Sequence, residues 1–332
     1  MNIYVAIPAG IVRDTFLTEA NVRYLESLGN VTWNELGRNC TPEELAEALV
    51  DMDVCVGCWG LCKFDEKILA KANRLKLIAY VAGSVNYFVT DEMYARGIRV
   101  VCGNEAFAES VAECTVAYMM TALRKIPQTV RSFDETGWPT GPYVRNDSLL
   151  DQTVGIIGLG AISRYLIGML KPFRAKIKIF SGHTTDEEAA ALGVQKASLE
   201  EIFSTCKIVS VHWARTPQNY HRINDSLLSL LKPDSILINT ARGDIIDEEA
   251  MARHLQAGHF RAVLDVYEKE PLPEESPLRH LENAILIPHR GGPTTDRRHY
   301  AALLALEDIE RLQKGEALQN EISPTRAAMM TH

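Results

Sequence analysis

Ten short apolar runs, each of four to six residues, alternate along the chain with segments that have the periodicity of amphipathic helices. Nearly continuous apolar strands are what a parallel sheet buried on both faces requires. Helix start signals separate the runs, such as the capping box from Thr41 to Glu44 with Pro42 at the first helical position. Repeated strand–helix–strand units predict an α/β protein with doubly wound parallel sheets. The predicted strands are residues 3–7, 54–57, 77–81, 99–102, 153–158, 176–180, 208–212, 235–239, 262–266 and 284–287.

The pattern changes after the fourth run. Residues 105–123 form one long helical stretch, which is followed by the Gly/Pro-rich segment 137–142 and by a new strand–turn–helix series from Thr153. At roughly 150 residues per domain, a chain of 332 residues favours two domains. We therefore place a domain crossing in the long helix, with the N-terminal hundred or so residues in one unit and residues 105–291 in the other.

Charge and apolar content limit the partners of the chain. The net charge of −8 offers no basic face for phosphate backbones, so no nucleic-acid partner is expected. The longest uncharged run, residues 77–90, is too short for a membrane span. The N-terminal sequence is typical of a strand and not of a signal peptide, and seven cysteines is an odd number for a disulfide framework. A cytoplasmic protein with reduced thiols is the expectation.

Cys55, Cys58 and Cys62 have a short spacing that thiolate metal sites also use. However, Cys55 lies within a short apolar run, where cysteine serves as a small hydrophobic residue. No fourth Cys or His is close in sequence to complete a ligand set. The sequence therefore predicts no metal site.

A strand, a Gly-x-Gly turn and an amphipathic helix follow one another directly from Thr153, with Gly158 and Gly160 in the turn. The two glycines permit a tight turn and the close approach of a pyrophosphate to amides at the helix N-terminus, where the helix dipole favours negative charge. A glycine pair alone is weak evidence, but this context predicts a dinucleotide site. Ser163 stands where the fingerprint has a third small residue, Gly or Ala.

The end of the next strand bears on the choice of coenzyme. An acid that binds the ribose 2′-hydroxyl of NAD is expected about 20 residues after the glycines, but Ser181 occupies that position. Without a carboxylate there, a 2′-phosphate is not repelled, so NADP stays open. NAD remains somewhat favoured because no Arg or Lys follows at once, and only His183 and Arg215 could assist.

Three later segments end predicted strands with the polar residues Arg242, Glu270 and His289. Taken singly, the arginine could cap a turn, the glutamate could be a solvated charge and the histidine could be structural. In an open α/β sheet, however, the carboxyl ends of the strands face the ligand crevice. An arginine, an acid and a histidine downstream of a dinucleotide turn therefore predict a catalytic group that converges on the nicotinamide ring.

The sequence resembles the D-isomer-specific 2-hydroxyacid dehydrogenase family over nearly the whole chain. The resemblance implies a Rossmann NAD(P)-binding domain, residues 105–291, inserted into a flavodoxin-like substrate domain formed by residues 1–104 and 292–332. It also implies a homodimer built on the cofactor domains. The matching segments are residues 110–113, 154–163, 211–217, 236–247, 264–271 and 288–292.

The same resemblance implies hydride transfer between a nicotinamide coenzyme and C2 of a small anionic D-2-hydroxy or 2-oxo acid. Arg242 would bind the substrate carboxylate and polarise the C2 oxygen. His289 would take the hydroxyl proton during oxidation and return it during reduction. Glu270 would hold the imidazole and favour its charged form.

The resemblance further implies which residues contact the two ligands. Residues 159–162 would hold the pyrophosphate, Thr240 and Ala241 would contact the nicotinamide end, and Asp265 would meet its carboxamide. Amides of the turn 82–84 would donate to the substrate carboxylate. The expected cofactor-binding residues are Gly158, Leu159, Gly160, Ala161, Ile162, Ser181, Gly182, His183, His212, Thr216, Thr240, Ala241, Asp265 and Gly291. The expected substrate-binding residues are Trp59, Ala82, Gly83, Ser84, Arg242 and His289.

Two alternatives stay open. Trp59, at a predicted strand end, either walls the pocket for the substrate side chain or packs in the core. A nucleotide-sensing binding protein, similar to the corepressors related to this family, is the alternative to an enzyme. The presence of Arg242, Glu270 and His289 together favours catalysis.

Overall fold

The computed structural model describes residues 1–138 and 146–330, with only the backbone at Thr136. The chain divides into two units, of which the first consists of Met1–Phe107 with Pro293–His332 and the second of Ala108–Gly292. Each unit contains one sheet. Of the Gly/Pro-rich segment 137–142, residues 139–142 lie outside the described residues.

All strand pairs that the described residues form between named strands are parallel. The strands are β1 (Asn2–Val5), β2 (Asn30–Trp33), β3 (Val54–Gly57), β4 (Leu77–Tyr80), β5 (Arg99–Cys102), β6 (Thr153–Ile157), β7 (Lys176–Phe180), β8 (Gln195–Lys196), β9 (Ile208–Val211), β10 (Ile236–Asn239), β11 (Arg261–Leu264) and β12 (Ala284–Leu286).

In the described part of the chain, helices lie in the connections between successive strands, except between β11 and β12, and two more follow β12. They are α1 (Ile11–Phe16), α2 (Glu19–Leu28), α3 (Pro42–Ala48), α4 (Glu66–Lys71), α5 (Asp91–Ala95), α6 (Asn104–Leu123), α7 (Ile126–Thr136), α8 (Ala161–Leu170), α9 (Asp186–Leu192), α10 (Leu199–Thr205), α11 (Asp225–Leu228), α12 (Glu248–Gln256), α13 (Arg298–Lys314) and α14 (Pro324–Ala328). The predicted capping box is present, since Thr41 accepts from the amide of Glu44 and the Glu44 carboxylate accepts from the amide of Thr41. No helix among the described residues is both long and apolar enough to span a bilayer.

The sheet of the first unit has the order β2-β1-β3-β4-β5. Strands β3 and β4 are buried along their whole length, as expected for strands covered on both faces. The C-terminal segment returns to this unit, where the side-chain amide of Asn21 donates to the carbonyl of His299 at 2.9 Å. Gly103 also lies close to this segment, because a Cβ there would lie 2.7 Å from the carbonyl oxygen of Ala301.

The sheet of the second unit has the order β12-β11-β10-β9-β6-β7-β8. The chain runs from β6 outward to β7 and β8, and then returns to β9 on the other side of β6. The strand order therefore reverses beside β6, and the carboxyl ends of β6 and β9 border the crevice in which ligands of such sheets bind. Ile156 belongs to the apolar core on one face of this sheet and Ile157 to the core on the other.

The prediction of two doubly wound parallel sheets is confirmed by this architecture. The sequence patterns missed β2 and β8. In β2, exposed and partly exposed residues alternate, so it lacks the continuous apolar run of a strand buried on both faces. In β8, both residues are exposed, and the pairing is set by β7 instead of by burial.

Candidate active site

The turn between β6 and α8 is shaped by Gly158 and Gly160. Gly158 has a φ of +98°, which favours glycine, and its amide donates to the carbonyl of Phe180 at 2.8 Å. A Cβ at Gly158 would lie 3.0 Å from the carbonyl oxygen of His212. No side chain caps α8 at Gly160, and no described atom lies within 4 Å of a Cβ placed there. The first turn of α8 therefore presents uncapped amides to open space, which is a setting that binds a pyrophosphate.

Ser163, the departure from the fingerprint, is fully buried. Its Oγ donates to the carbonyl of Gly158 at 2.7 Å, so the hydroxyl has a partner inside the protein. Ser163 thereby ties the first turn of α8 to the glycine turn, a bond that the sequence pattern did not predict.

His212 follows β9 beside this turn. Its Nε2 shares a hydrogen bond with Ser210 Oγ at 2.8 Å, while its buried Nδ1 has no hydrogen-bond partner in the described part of the chain. Loss of water contact lowers the pKa of His212 to about 4, so the ring is neutral near pH 7. A buried ring nitrogen without a protein partner, next to uncapped amides, fits a bound dinucleotide.

The residues expected at the adenosine end come directly after β7. Ser181 is partly exposed, and Gly182 and His183 are exposed. Within the described residues, no atom lies within 4 Å of a Cβ placed at Gly182. This end of the site is therefore open.

Two residues after β9 differ in their surroundings. Thr216 is partly buried and precedes the short helical turn Pro217–Asn219. Arg215, considered from the sequence as an aid to a 2′-phosphate, forms an ion pair with Asp244 through Nε at 2.7 Å.

Glu270 and His289 are brought into direct contact. His289 Nδ1 and Glu270 Oε2 are 2.7 Å apart, and Glu270 Oε1 accepts from the amide of Tyr267 at 3.1 Å. The carboxylate is thus fixed by the backbone on one oxygen and holds the imidazole with the other. The His289 side chain is 49% exposed, which leaves its Nε2 accessible to a ligand.

The turn that carries His289 is held by Asp265, which is 1% exposed. The Asp265 carboxylate accepts from the amides of Arg290 at 2.7 Å and Gly291 at 2.8 Å. Its Oδ1 also accepts from the hydroxyl of Tyr118 on α6 at 3.1 Å. His289 itself has a φ of +51°, a conformation that persists in non-glycine residues only where the surroundings impose it. Asp265 provides those surroundings, and Tyr118 is a site residue that the sequence analysis missed.

Arg242 follows β10 and adjoins the loop that carries Glu270. A Cβ at the next residue, Gly243, would lie 1.9 Å from the carbonyl carbon of Tyr267, so only glycine permits this approach. Arg242 Nη1 donates to the carbonyl of Ala241 at 2.7 Å. Burial lowers the pKa of the Arg242 guanidinium, and the negative charge of Glu270 opposes that shift. The guanidinium keeps further donors for a planar anion.

Thr240 and Ala241, expected at the nicotinamide end, are buried before Arg242. The hydroxyl of Thr240 lies 3.4 Å from that of Thr115 on α6. The amide of Ala241 donates to Asn239 Oδ1 at 3.0 Å. These bonds fix the strand end from which Arg242 projects.

In the first unit, the turn expected to bind the substrate carboxylate follows β4. Ala82 and Gly83 are buried, and Ser84 is partly buried. A Cβ at Gly83 would lie 3.3 Å from the ring of Phe107, so this turn packs closely against an aromatic side chain.

Trp59, which follows the end of β3, belongs to an aromatic cluster of the same unit. Its ring meets Phe16 edge-on at 5.3 Å and Phe107 edge-on at 6.2 Å, and the Arg298 guanidinium lies 5.1 Å from its centroid. The indole is nevertheless 41% exposed. Trp59 therefore both packs against the core and presents a surface.

The structure brings together Arg242, Asp265, Glu270 and His289 within the second unit, while Trp59 and the turn 82–84 lie in the first. Cys55 is buried within β3, as expected for a small hydrophobic residue of a strand; Cys58 is also buried, and Cys62 is partly exposed. Among residues 1–138 and 146–330, no group of three or more His, Cys, Asp or Glu side chains is arranged to hold a metal ion.

A change of Asp265 to alanine is expected to lower the free energy of unfolding by about 1–3 kcal/mol, because buried amides lose their acceptor. Misplacement of His289 should also lower kcat by about 10²-fold. Urea unfolding and steady-state kinetics measure the two effects. Tyr118→Phe, which leaves the amide contacts of Asp265 intact, is the matched control with a smaller effect. Unchanged kcat in folded Asp265→Ala protein would contradict this role.

Comparison with known proteins shows a family match over the part of the chain that contains these site residues. The family model described as D-isomer specific 2-hydroxyacid dehydrogenase, NAD binding domain, matches residues 116–291. This range contains the glycine turn, Arg242, Glu270 and His289.

Similar proteins extend the match beyond this range. The chain is 32% identical to a D-3-phosphoglycerate dehydrogenase of Methanocaldococcus jannaschii over 92% of its length and 58% of that protein. It is also 32% identical to a glyoxylate reductase of Thermofilum pendens, with 82% of each chain covered. The chain spans about half the length of the phosphoglycerate dehydrogenases that it matches.

A solved structure shares the whole fold. The crystal structure of the TT0316 protein from Thermus thermophilus superposes with a TM-score of 0.78 at 26% identity, and the match covers 97% of this chain and 100% of that chain.

Proposed function

Because the chain belongs to the D-isomer-specific 2-hydroxyacid dehydrogenase family, we propose that it transfers a hydride reversibly between NAD(P) and C2 of a small D-2-hydroxy acid. The observation that carries this proposal is the 2.7 Å contact of His289 Nδ1 with Glu270 Oε2, in the unit that also contains the uncapped glycine turn. An imidazole oriented by a carboxylate is a proton-transfer group. The nucleotide-sensing alternative has no need of such a pair.

The coenzyme, when bound, supplies the hydride acceptor or donor, and the second unit provides its binding residues. Amides of residues 159–162 would hold the pyrophosphate beside His212 Nδ1. Ser181, Gly182 and His183 would lie near the adenosine ribose. Thr240 and Ala241 would lie near the nicotinamide, and Thr216 and Gly291 would complete the surround.

His289 Nε2 would take the hydroxyl proton during oxidation and return it during reduction. Glu270 would fix the tautomer by accepting a hydrogen bond from Nδ1–H, and would stabilise the imidazolium that forms. Since both carboxylate oxygens of Glu270 are engaged, the orientation of the imidazole is set by bonds within the protein.

Arg242 would bind the substrate carboxylate with its planar fork of donors and polarise the C2 oxygen. In the first unit, amides of residues 82–84 would add donors to the carboxylate, and the exposed face of Trp59 would contact the substrate side chain.

We propose a revised role for Asp265, since three hydrogen bonds already reach its carboxylate. A carboxylate has about four acceptor positions, so one remains for the nicotinamide carboxamide. Its main role is to hold the turn of His289.

The experiment that tests this function is a panel of 2-oxo acids, including glyoxylate, hydroxypyruvate and phosphohydroxypyruvate, incubated with NADH or NADPH. Oxidation of the coenzyme with at least one acid is expected, and the panel identifies the substrate side chain. Coenzyme binding without turnover of any acid would favour the nucleotide-sensing alternative and overturn the proposal.

We propose that two chains form a homodimer through the second unit. One face of α7 presents Ile126, Val130 and Phe133, each about half exposed. Their spacing places them on a single helix face, and contiguous exposed apolar residues mark interaction surfaces.

The change of Val130 and Phe133 to glutamate together is expected to convert the dimer to a monomer, because two charges would be buried in the interface. Sedimentation velocity measures the mass. Arg131→Glu, on the same helix, is the control expected to stay dimeric. A wild-type monomer at micromolar concentration would contradict the dimer.

The remaining expectations concern macromolecular partners and the cellular compartment. The negative net charge disfavours a nucleic-acid partner. All seven cysteines are free thiols, which supports a reducing compartment such as the cytoplasm.

A further inference from the structure

The guanidinium of Arg222 lies against two aromatic rings of the second unit. Its guanidinium carbon lies 4.6 Å from the centroid of Trp213 and 5.6 Å from that of Phe180. Both distances are within the range of cation–π attraction. The two rings also meet each other edge-on at 5.7 Å. The guanidinium is therefore held in place although Arg222 is exposed.

The two rings position this charge beside the dinucleotide turn. Phe180 is the last residue of β7, directly before Ser181, and its carbonyl accepts from the amide of Gly158. Trp213 Cδ1 lies 3.0 Å from the position of a Cβ at Gly158. In a doubly wound sheet, a pyrophosphate on the first turn places the adenosine ribose at the end of the second strand, which here is β7. Arg222 therefore lies at the adenosine end.

The charge of Arg222 is not neutralised by a carboxylate in the described residues. Its hydrogen bond there is a long one, from Nη1 to Asn219 Oδ1 at 3.4 Å. Arg215, in contrast, is paired with Asp244 at 2.7 Å. A guanidinium held against aromatic rings keeps its planar fork of donors in one place, which suits bidentate binding of a phosphate.

We propose that Arg222 binds the 2′-phosphate of NADP(H) and that the chain prefers NADP(H) to NAD(H). This inference rests on the proposed function, because it assumes a dinucleotide on the glycine turn. Ser181 contributes by not repelling the phosphate, and the open space at Gly182 gives the phosphate room. From the sequence alone, NAD was favoured because no Arg or Lys directly follows Ser181. Arg222 instead comes from the loop after β9.

The test is the dissociation constant of NADP⁺ and of NAD⁺, which differ only in the 2′-phosphate, measured by isothermal titration calorimetry. Wild-type protein is expected to bind NADP⁺ at least about tenfold more tightly, as one charge-assisted hydrogen bond provides. Arg222→Gln should abolish this preference by weakening NADP⁺ alone, and Arg222→Lys should retain part of it. Arg253→Gln, an exposed arginine on α12 of the same unit, is the control expected to change neither constant.

A second variant tests the proposed 2′-phosphate site through Ser181 and keeps Arg222. Ser181→Asp should weaken NADP⁺ at least about tenfold, because a carboxylate would face the 2′-phosphate, and leave NAD⁺ binding unchanged or tighter. Equal wild-type affinities for the two coenzymes would overturn the proposal. An equal loss of both in Arg222→Gln would also overturn it and assign Arg222 to adenine stacking. Failure of folded wild-type protein to bind either coenzyme would instead refute the proposed function.

Discussion

Replacement of His289 by alanine is expected to lower kcat by about 10²–10⁴-fold in both directions, which is the usual contribution of a positioned acid or base. The dissociation constant of the coenzyme should stay nearly unchanged, because the glycine turn and His212 lie on other strands. Steady-state kinetics and calorimetry measure the two quantities. His280→Asn, an exposed histidine of the same unit, is the matched control.

The pH dependence gives a second test of the same assignment. The imidazole of His289 must be neutral to accept a proton and charged to donate one, so oxidation should increase with pH and reduction should decrease. In Glu270→Gln, the carboxylate that accepts from Nδ1 of His289 and balances the charge of the imidazolium is lost, so kcat should fall in both directions. Near-parental turnover of His289→Ala or of Glu270→Gln would contradict the assigned roles.

The change of Arg242 to glutamine is expected to lower kcat/KM for the 2-oxo acid by about 10²–10³-fold, the loss typical of removing one donor to a developing oxyanion. Arg242→Lys should recover only part of the activity, because an ammonium lacks the planar fork that matches a carboxylate. Initial rates across substrate concentrations separate the two variants.

Arg253→Gln serves as the control for Arg242→Gln, since it removes one guanidinium from an exposed helix position. The coenzyme affinity of Arg242→Gln and of Arg253→Gln should be the same as that of wild type. If Arg242→Gln retained kcat/KM within a few-fold of wild type, substrate binding through Arg242 would be refuted.

The sequence predicted those parts of the fold and site that depend on local pattern. Local sequence is enough to recognise the apolar runs of β3, β4 and β6. The same is true of the glycines at 158 and 160, because a predicted strand and a predicted helix directly flank them. Glu270 and His289 were found because both follow strands whose carboxyl ends share one edge, and their contact is now observed.

Features that depend on partners distant in sequence were missed. The bond of Tyr118 to Asp265 joins residues that are 147 positions apart, and no periodicity in α6 marks it. Arg222 was overlooked because its position depends on the ring of Phe180, at the end of β7, as well as on that of Trp213, which lies earlier in the same loop after β9. In these cases, tertiary packing decides the role of the residue.

The bonds of Asp265 and Glu270 have a consequence for how this chain can change its specificity. Both carboxylates and the imidazole they organise lie between residues 265 and 291, and their mutual bonds need no residue of the first unit. Trp59 and the turn 82–84 belong to a separate unit. Under the proposed function, selection for a different acid would act on Trp59 and the turn 82–84, while the bonds among Asp265, Glu270 and His289 are inherited intact.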